Sequence, residues 1–286
     1  RACVPMLVDT CNQVGSPQIR SVATIGGNLC NGAVSADSVP SLLVLNAELE
    51  LTSLEGKRVV KAVDFHTGPG KTVLETDREL LTGIRIPKAS YEGHGGKYLK
   101  FGQRNAMEIA TLGCAVNCAL SPDGTIRDFA IAFGVAAPRP IRCAKAESLM
   151  LGRRPTGALL KELRRAVLLE CAPRESWRAS LELRTQLIQE LAERGLAFAE
   201  VVEQVERYLR PLVDHLILGV IDEQSVAMTV RDEDKAFIAQ VYGYIFIGIM
   251  LDWIRDGMAE EPEKIVDRLA LLIHDSIREA LARFKI

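Results

Sequence analysis

The chain has 286 residues, 48% hydrophobic and 25% charged, the make-up of an ordinary soluble globular protein with room for one large domain or two. Its net charge of -2 hides an asymmetry: residues 200–286 carry 10 Lys+Arg against 17 Asp+Glu, a net -7, and residues 1–199 carry 25 against 20, a net +5. Neither value suits bulk nucleic-acid binding. The seven cysteines, odd in number and without framework spacing, point away from a disulfide-stapled secreted fold and toward a reducing cytoplasm.

Residues 1–14 read as a short helix already under way at Arg1-Ala2-Cys3, as in a fragment, and ended by Gly15 and Pro17. Thr24-Ile25-Gly26-Gly27-Asn28-Leu29 follows as a loop. Two adjacent glycines after a β-branched run let the backbone turn tightly and come close to a ligand. Thr24, Asn28 and Asp37 add short polar side chains suited to phosphate or hydroxyl groups. Residues 38–45 form a helical turn. Glu48-Leu49-Glu50-Leu51 alternates as a half-buried strand does, Glu55-Gly56 turns the chain, and Arg58-Val59-Val60 opens a partner strand.

His66-Thr67-Gly68-Pro69-Gly70-Lys71 is a loop. It is not a phosphate loop, which needs GxxxxGK(S/T) between a strand and a helix. Leu80 to Ile86 is a strand stopped by Pro87. Tyr98 to Phe101, Ile109 to Leu120 and Ile126 to Val135 read as three antiparallel strands, with Ser121-Pro122-Asp123-Gly124 turning between the last two. Helices over 141–151 and 157–171 pack on that sheet, an α+β pattern. Cys114 and Cys118 share one strand face and read as small core residues, since no second pair completes a metal site. The four histidines form no cluster with each other or with a carboxylate.

Beyond residue 176 nothing reads as a strand. Ser180 to Phe198 is amphipathic, with Leu183, Leu187, Ile188 and Leu191 at helical spacing. Pro211 is expected to interrupt or kink its helix. Asp232 caps a helix from Glu233 to Asp256, closed by Gly257, and Pro262 opens the last helix. Phe237 to Ile254 is long and apolar enough to suggest a membrane span, but no basic cluster flanks it, and a buried bundle helix reads better. Ile265, Leu269, Leu272, Ile273, Ile277 and Leu281 form a stripe on the last helix. Two such helices carry more apolar surface than one small domain covers, which predicts a homodimer through 233–256 and 262–284.

Four segments resemble the FAD-binding (medium) subunit of the molybdenum hydroxylases, above all the bacterial xanthine dehydrogenase group. They are Gly15 to Gly32, Phe65 to Thr72, Glu79 to Pro87 and Lys97 to Ala110, with a Trp177-Arg178-Ala179-Ser180 tail typical of the same family. The resemblance implies FAD held by Ile25, Gly26, Gly27, Asn28, Asp37, Leu81 and Lys100, with Leu81 on the flavin ring and Lys100 approaching it. It implies partner subunits that carry molybdenum and 2Fe–2S clusters, and NAD+ as the final acceptor. No catalytic residue and no metal ligand is expected on this chain. The family's first FAD subdomain, with its Ala-Gly-Gly-Thr-Asp-like loop, has no counterpart in the sequence, so the chain is expected to supply one wall of the flavin site.

Asp234 to Tyr242, Leu251 to Met258 and Pro262 to Val266 resemble the C-terminal effector-binding and dimerisation domain of TetR-type regulators. The helix-turn-helix of that family has no counterpart here, so neither nucleic acid nor membrane is an expected partner. The expected domains are 1–90, a partial FAD-binding subdomain; 91–198, a flavoprotein α+β domain; and 199–286, a helical domain. A fusion or a chimera would account for two such unlike parts.

Overall fold

The computed structural model describes residues 4–104, 106–225, 228–255, 261–273 and 276–285. The chain divides into two compact units, one ending at Glu203 and one starting at Gln204. The first is α+β with antiparallel sheets, and the second is helical.

The first unit opens with three short helices, α1 (Pro5–Asn12), α2 (Pro17–Val22) and α3 (Ile25–Cys30), followed by α4 (Ser38–Val44). Proline near the N-terminus suits α1 and α2, where an amide N–H has no helical acceptor. Every residue of α4 is buried, and Thr10 Oγ1 of α1 shares a 2.7 Å hydrogen bond with Ser41 Oγ. The two glycines expected in a loop lie instead inside α3. Thr24 Oγ1 accepts from Gly27 N at 2.9 Å, and Leu29 anchors the helix in the core. That cap and that anchor outweigh the low helix propensity of glycine.

A three-stranded antiparallel sheet follows, in the order β2 (Gly56–Lys61), β1 (Glu48–Ser53), β5 (Leu80–Arg85). Between β2 and β5 run α5 (Ala62–Phe65) and a small hairpin, β3 (His66–Gly68) with β4 (Lys71–Thr72), where a loop was expected. Glu79 accepts from Arg58 Nε at 2.5 Å, Arg58 Nη2 at 2.7 Å and Glu75 N at 3.0 Å, which ties β2 to the segment before β5. Those donors, Arg58 first, hold the Glu79 pKa down at about 2, against an ordinary 4.5. A carboxylate whose folded pKa is depressed contributes stability above its unfolded pKa and loses it as pH falls through the folded one. Stability should therefore decline between pH 4.5 and about 2. Glu79→Gln should flatten that acid limb in a plot of melting temperature against pH.

The second sheet is antiparallel in the order β6 (Gly95–Phe101), β7 (Leu112–Leu120), β8 (Ile126–Gly134), β9 (Ile141–Arg142). All nine residues of β7 are buried because both its faces are covered. Leu112, Cys114, Val116, Cys118 and Leu120 point into a core built with α6 (Ala144–Met150), α7 (Gly157–Glu170) and the start of α8 (Leu181–Ser225). Ala115 points the other way, into the core of α4, with Ala130 and Ala132 of β8. Small residues on that face let α4 lie close to the sheet. Residues 141–142 were expected to begin a helix but form the edge strand β9, pairing Ile141 with Phe133 and Arg142 with Ala132.

Helix α8 continues through Pro211, so the proline does not interrupt it. A proline removes one donor and crowds one carbonyl, and long helical flanks let the helix resume beyond it. In the second unit, α8 is followed by α9 (Asp232–Arg255), α10 (Pro262–Ile273) and α11 (Ser276–Arg283). Asp232 is the first residue of α9 rather than its cap: Arg231 O accepts from both Asp234 N and Lys235 N at 3.1 Å. Three acids in that first turn suit the helix dipole. Gly257, expected to close the helix, lies outside the described residues, as do the Leu272 and Ile273 side chains and Arg1-Ala2-Cys3. Among the described residues no helix is long and apolar enough to cross a membrane.

The core of this unit joins Ile221 of α8, Val230 just before α9, Ile238 and Ala239 of α9, and Ile277 and Leu281 of α11. Ile265 and Leu269 are buried as well, so the described members of the stripe expected to await a partner are covered within the chain. Among the described residues, the exposed large apolar side chains of α9 are Phe237, Val241, Tyr244 and Ile245. Leu269→Asp should therefore unfold the second unit, because it buries a charge without a counter-charge. A variant that keeps full helical circular dichroism on heating and simply loses mass in solution would contradict that.

Candidate functional site

Thr24 is extended and α3 starts after it, so the backbone of Ile25, Gly26 and Gly27 forms the first turn of the helix. Asn28 N donates to Thr24 O at 3.0 Å. A Cβ built on Gly26 would sit 3.5 Å from Leu81 Cδ2 and 3.9 Å from Thr24 Oγ1, and one on Gly27 would meet Thr24 Oγ1 at 3.2 Å. Beyond the chain neighbours and the helix's own backbone, nothing else lies within 4 Å of either position. Thr24 and Gly27 are exposed, and Ile25, Gly26 and Leu81 are half-buried. The fold thus brings Ile25, Gly26, Gly27 and Leu81 into one open ledge whose space side chains would fill. That is the kind of surface a flat cofactor needs, and these residues fit it.

Asn28, Asp37 and Lys100 are each held by hydrogen bonds, Asn28 to Ser38 and Asp37 to Lys100. Asn28 Oδ1 accepts from Ser38 N at 3.2 Å and Ser38 Oγ at 2.6 Å, which fastens α3 to the start of α4. Asp37 Oδ1 accepts from Tyr98 OH at 2.8 Å, and Asp37 Oδ2 from Lys100 Nζ at 2.8 Å. Lys100 Nζ also donates to Gln13 O at 3.0 Å. The Lys100 and Asp37 side chains are 9% and 8% exposed. Burial pushes the Asp37 pKa up, while the Lys100 and Tyr98 donors pull it back. Burial, then the Asp37 charge, drives the Tyr98 hydroxyl well above its ordinary value.

A further group was not foreseen from the sequence. His66 Nε2 is 3.1 Å from Leu29 O, at the end of α3, and Arg139 Nη1 donates to His66 O at 2.8 Å. Gly70 N donates to Gly32 O at 3.0 Å. Gly32 has φ +65, and a Cβ there would lie 2.8 Å from the Gly70 carbonyl carbon, so only glycine lets the β3–β4 hairpin dock. Burial first, then the Arg139 charge, pushes the His66 pKa down despite the Leu29 bond. A neutral His66 donates from Nε2 to Leu29 O and keeps Nδ1 as a buried lone pair. The only sequence signal for this docking was the Gly68-Pro69-Gly70 turn itself.

Comparison with known proteins gives this arrangement a family. Residues 1–89 match a model of the FAD binding domain in molybdopterin dehydrogenase, and residues 97–199 match the CO dehydrogenase flavoprotein C-terminal domain. Residues 186–275 match a transcriptional regulator C-terminal region. The chain is 43% identical over 196 residues to the xanthine dehydrogenase FAD-binding subunit of Escherichia coli O157:H7, covering 68% of this chain and 66% of that one. It is 33% identical over 202 residues to the carbon monoxide dehydrogenase medium chain of Afipia carboxidovorans, covering 70% and 68%. The crystal structure of the Cu,Mo-CO dehydrogenase superposes with a TM-score of 0.66 at 31% identity, over 70% of this chain and 68% of that one. The chain spans 66% of the length of the Escherichia coli relative. Through residues 1–199, the chain belongs to the family of FAD-binding subunits of molybdenum-containing dehydrogenases.

Proposed function

We propose that this chain is the FAD-binding component of a xanthine dehydrogenase-like molybdenum hydroxylase. The observation that carries the reading is the open ledge of Ile25, Gly26 and Gly27 beside Leu81, inside the stretch that matches the FAD-binding model. When bound, FAD supplies a centre that takes up and releases electrons. The chain's own contribution is to bind and orient it. Bare backbone at Gly26 and Gly27 admits the cofactor, Leu81 offers it an apolar surface, and Asn28 holds the ledge against α4. Asp37 offsets the Lys100 cation at 2.8 Å, so the pair presents a weaker field to a neighbour than a lone ammonium would.

In this reading the subunits that carry molybdenum and 2Fe–2S clusters oxidise a purine and pass electrons here, and NAD+ receives them. We place the complex in the cytoplasm on the cysteine usage alone. The test is to desalt the purified chain after incubation with FAD and record its visible spectrum. Retained flavin with NADH-dependent dye reduction, and no xanthine oxidation by the chain alone, is the expected result. A colourless protein sinks the reading for this chain, and xanthine oxidation without partners sinks the division of labour.

A second reading concerns residues 204–286, which the match to a regulator C-terminal region supports. There the unit is a helical effector-binding and dimerisation module. Phe237, Val241, Tyr244 and Ile245 recur at helical spacing on α9 and are exposed, so they form the face offered to a second copy. Val241→Glu with Ile245→Glu should turn a dimer into a monomer by analytical ultracentrifugation. A wild-type chain that sediments as a monomer removes the reading.

A further inference from the structure

The segment between α7 and α8 has no part in the flavin ledge. Ser176 N donates to Ala179 O and Ala179 N to Ser176 O, both at 3.1 Å, which closes a tight turn with Trp177 and Arg178 at its tip. Ser180 Oγ accepts from Leu183 N at 3.1 Å and starts α8. Arg184 lies one turn further along, is 2% exposed, and reaches back to this turn. Its Nη1 donates to Arg174 O, and its Nη2 donates to Ser176 Oγ at 2.7 Å. Its Nε is buried with no hydrogen-bond partner.

A buried guanidinium cannot discharge itself by losing a proton, and buried charges normally come with a counter-charge. Among the described residues none is supplied. Burial first, then the Arg174 and Arg178 charges, pushes the Arg184 pKa down, so its neighbours oppose its charge rather than balance it. The N-terminus of the 45-residue α8 adds positive partial charge at the same place. Glu175 and Glu182, the exposed acids of this stretch, are not among the charges acting on Arg184.

Two large apolar side chains lie exposed beside these cations. Trp177 is 83% exposed, with the Arg178 guanidinium stacked 4.2 Å from its ring centre, and Leu181 is 49% exposed. Tryptophan and arginine dominate the energetics of protein interfaces. A small inorganic anion would leave Trp177 and Leu181 unused.

We propose that the Arg174–Ser180 turn, with Leu181 and Arg184, is a docking surface for an acidic segment of another polypeptide. A carboxylate of that segment pairs with the arginines, and an apolar residue beside it covers Trp177 and Leu181. Charge complementarity selects this occupant: among the described residues Arg184 has no counter-charge, and the neighbouring Arg174 and Arg178 add to its charge rather than offset it. The surface shares no residue with the flavin ledge, so flavin content and docking can fail separately.

The chain has two tryptophans, so Trp253→Phe in the full chain leaves Trp177 as the reporter. The probes are a short synthetic peptide of alternating Glu and Leu, the same peptide with Gln for Glu, and inorganic phosphate. The Glu peptide should shift the Trp177 emission to shorter wavelength, and the Gln peptide should need about tenfold more for the same shift. Arg174→Glu with Arg178→Glu, both reachable from solvent, should abolish the response without changing the circular dichroism. If Trp253→Phe fails to fold, Trp177→Phe in the native chain serves in its place, and the shift must then vanish. An equal response to the Gln peptide would mean a merely apolar patch, and an equal response to phosphate a simple anion site. Either result, or silence toward the Glu peptide, overturns the proposal.

Discussion

Lys100→Met should destabilise the first unit by about 3–5 kcal/mol, because it leaves the Asp37 carboxylate buried without its cation. Asp37 then keeps the Tyr98 donor at 2.8 Å and loses the Lys100 donor at the same distance. The effect should be read by urea unfolding, with hydrogen exchange at the β6 and β7 amides reporting on this unit alone. Asp37→Asn in the Lys100→Met background should recover part of the loss, since a neutral amide costs less to bury than a carboxylate. The pH dependence has a definite sign. Burial already raises the Asp37 pKa above its ordinary 3.8, and Lys100 is the largest influence opposing that. Without Lys100 the folded state holds the proton more tightly still. A raised carboxyl pKa means that the folded state binds more protons than the unfolded one, so stability falls as pH rises above 3.8. The gap between wild type and variant should therefore be smallest in acid and widen toward neutrality. A gap independent of pH would mean that Lys100 acts through packing alone.

The sheet of the first unit was legible because its signals are local. Gly124, at φ +82, and the bond from Ser121 N to Thr125 O at 2.7 Å set the β7–β8 turn, and apolar runs on either side fill the strands. The errors share a different cause. Gly26 and Gly27 read as a loop because propensity speaks against helix, yet the cap from Thr24 and the burial of Leu29 decide the outcome. Strand β9 exists only because β8 offers an open edge, and no two-residue run announces that. On the last helices, periodicity revealed an apolar face at Ile265, Leu269, Ile277 and Leu281 but not what covers it, which is the rest of the chain.

The candidate site divides the same way. Its residues came from family likeness, and their mutual placement did not. Asp37 and Lys100 are 63 positions apart, and their pairing is tertiary information. Likeness placed both toward the cofactor, and the fold pairs each with the other at 2.8 Å. His66, dismissed for want of a cluster, braces α3 through a backbone carbonyl, a partner that no residue pattern displays.

Gly26→Ala should raise the stability of the chain slightly while weakening FAD binding, and that opposition of signs makes it the sharpest test of the ledge. Alanine is favoured over glycine inside a helix by about 0.5–1 kcal/mol. The new methyl would meet Leu81 Cδ2 at 3.5 Å, an ordinary contact, so the fold gives nothing back. The methyl does occupy the space between the backbone and any cofactor lying against it. Gly27→Val should go further. Its Cβ would press on Thr24 Oγ1 at 3.2 Å, against the cap of α3, and its branches would cover the exposed first turn. A loss of FAD affinity of about tenfold for Gly26→Ala and about a hundredfold for Gly27→Val corresponds to about 1.4 and 2.7 kcal/mol. Gly68→Ala is the control: its φ is unstrained, nothing lies within 4 Å of its Cβ position, and affinity should stay within about twofold. Flavin fluorescence titration and thermal melting on the same samples separate a lost contact from a lost fold. A Gly26→Ala protein that melts higher and still binds FAD as the wild type does would place the cofactor somewhere other than α3.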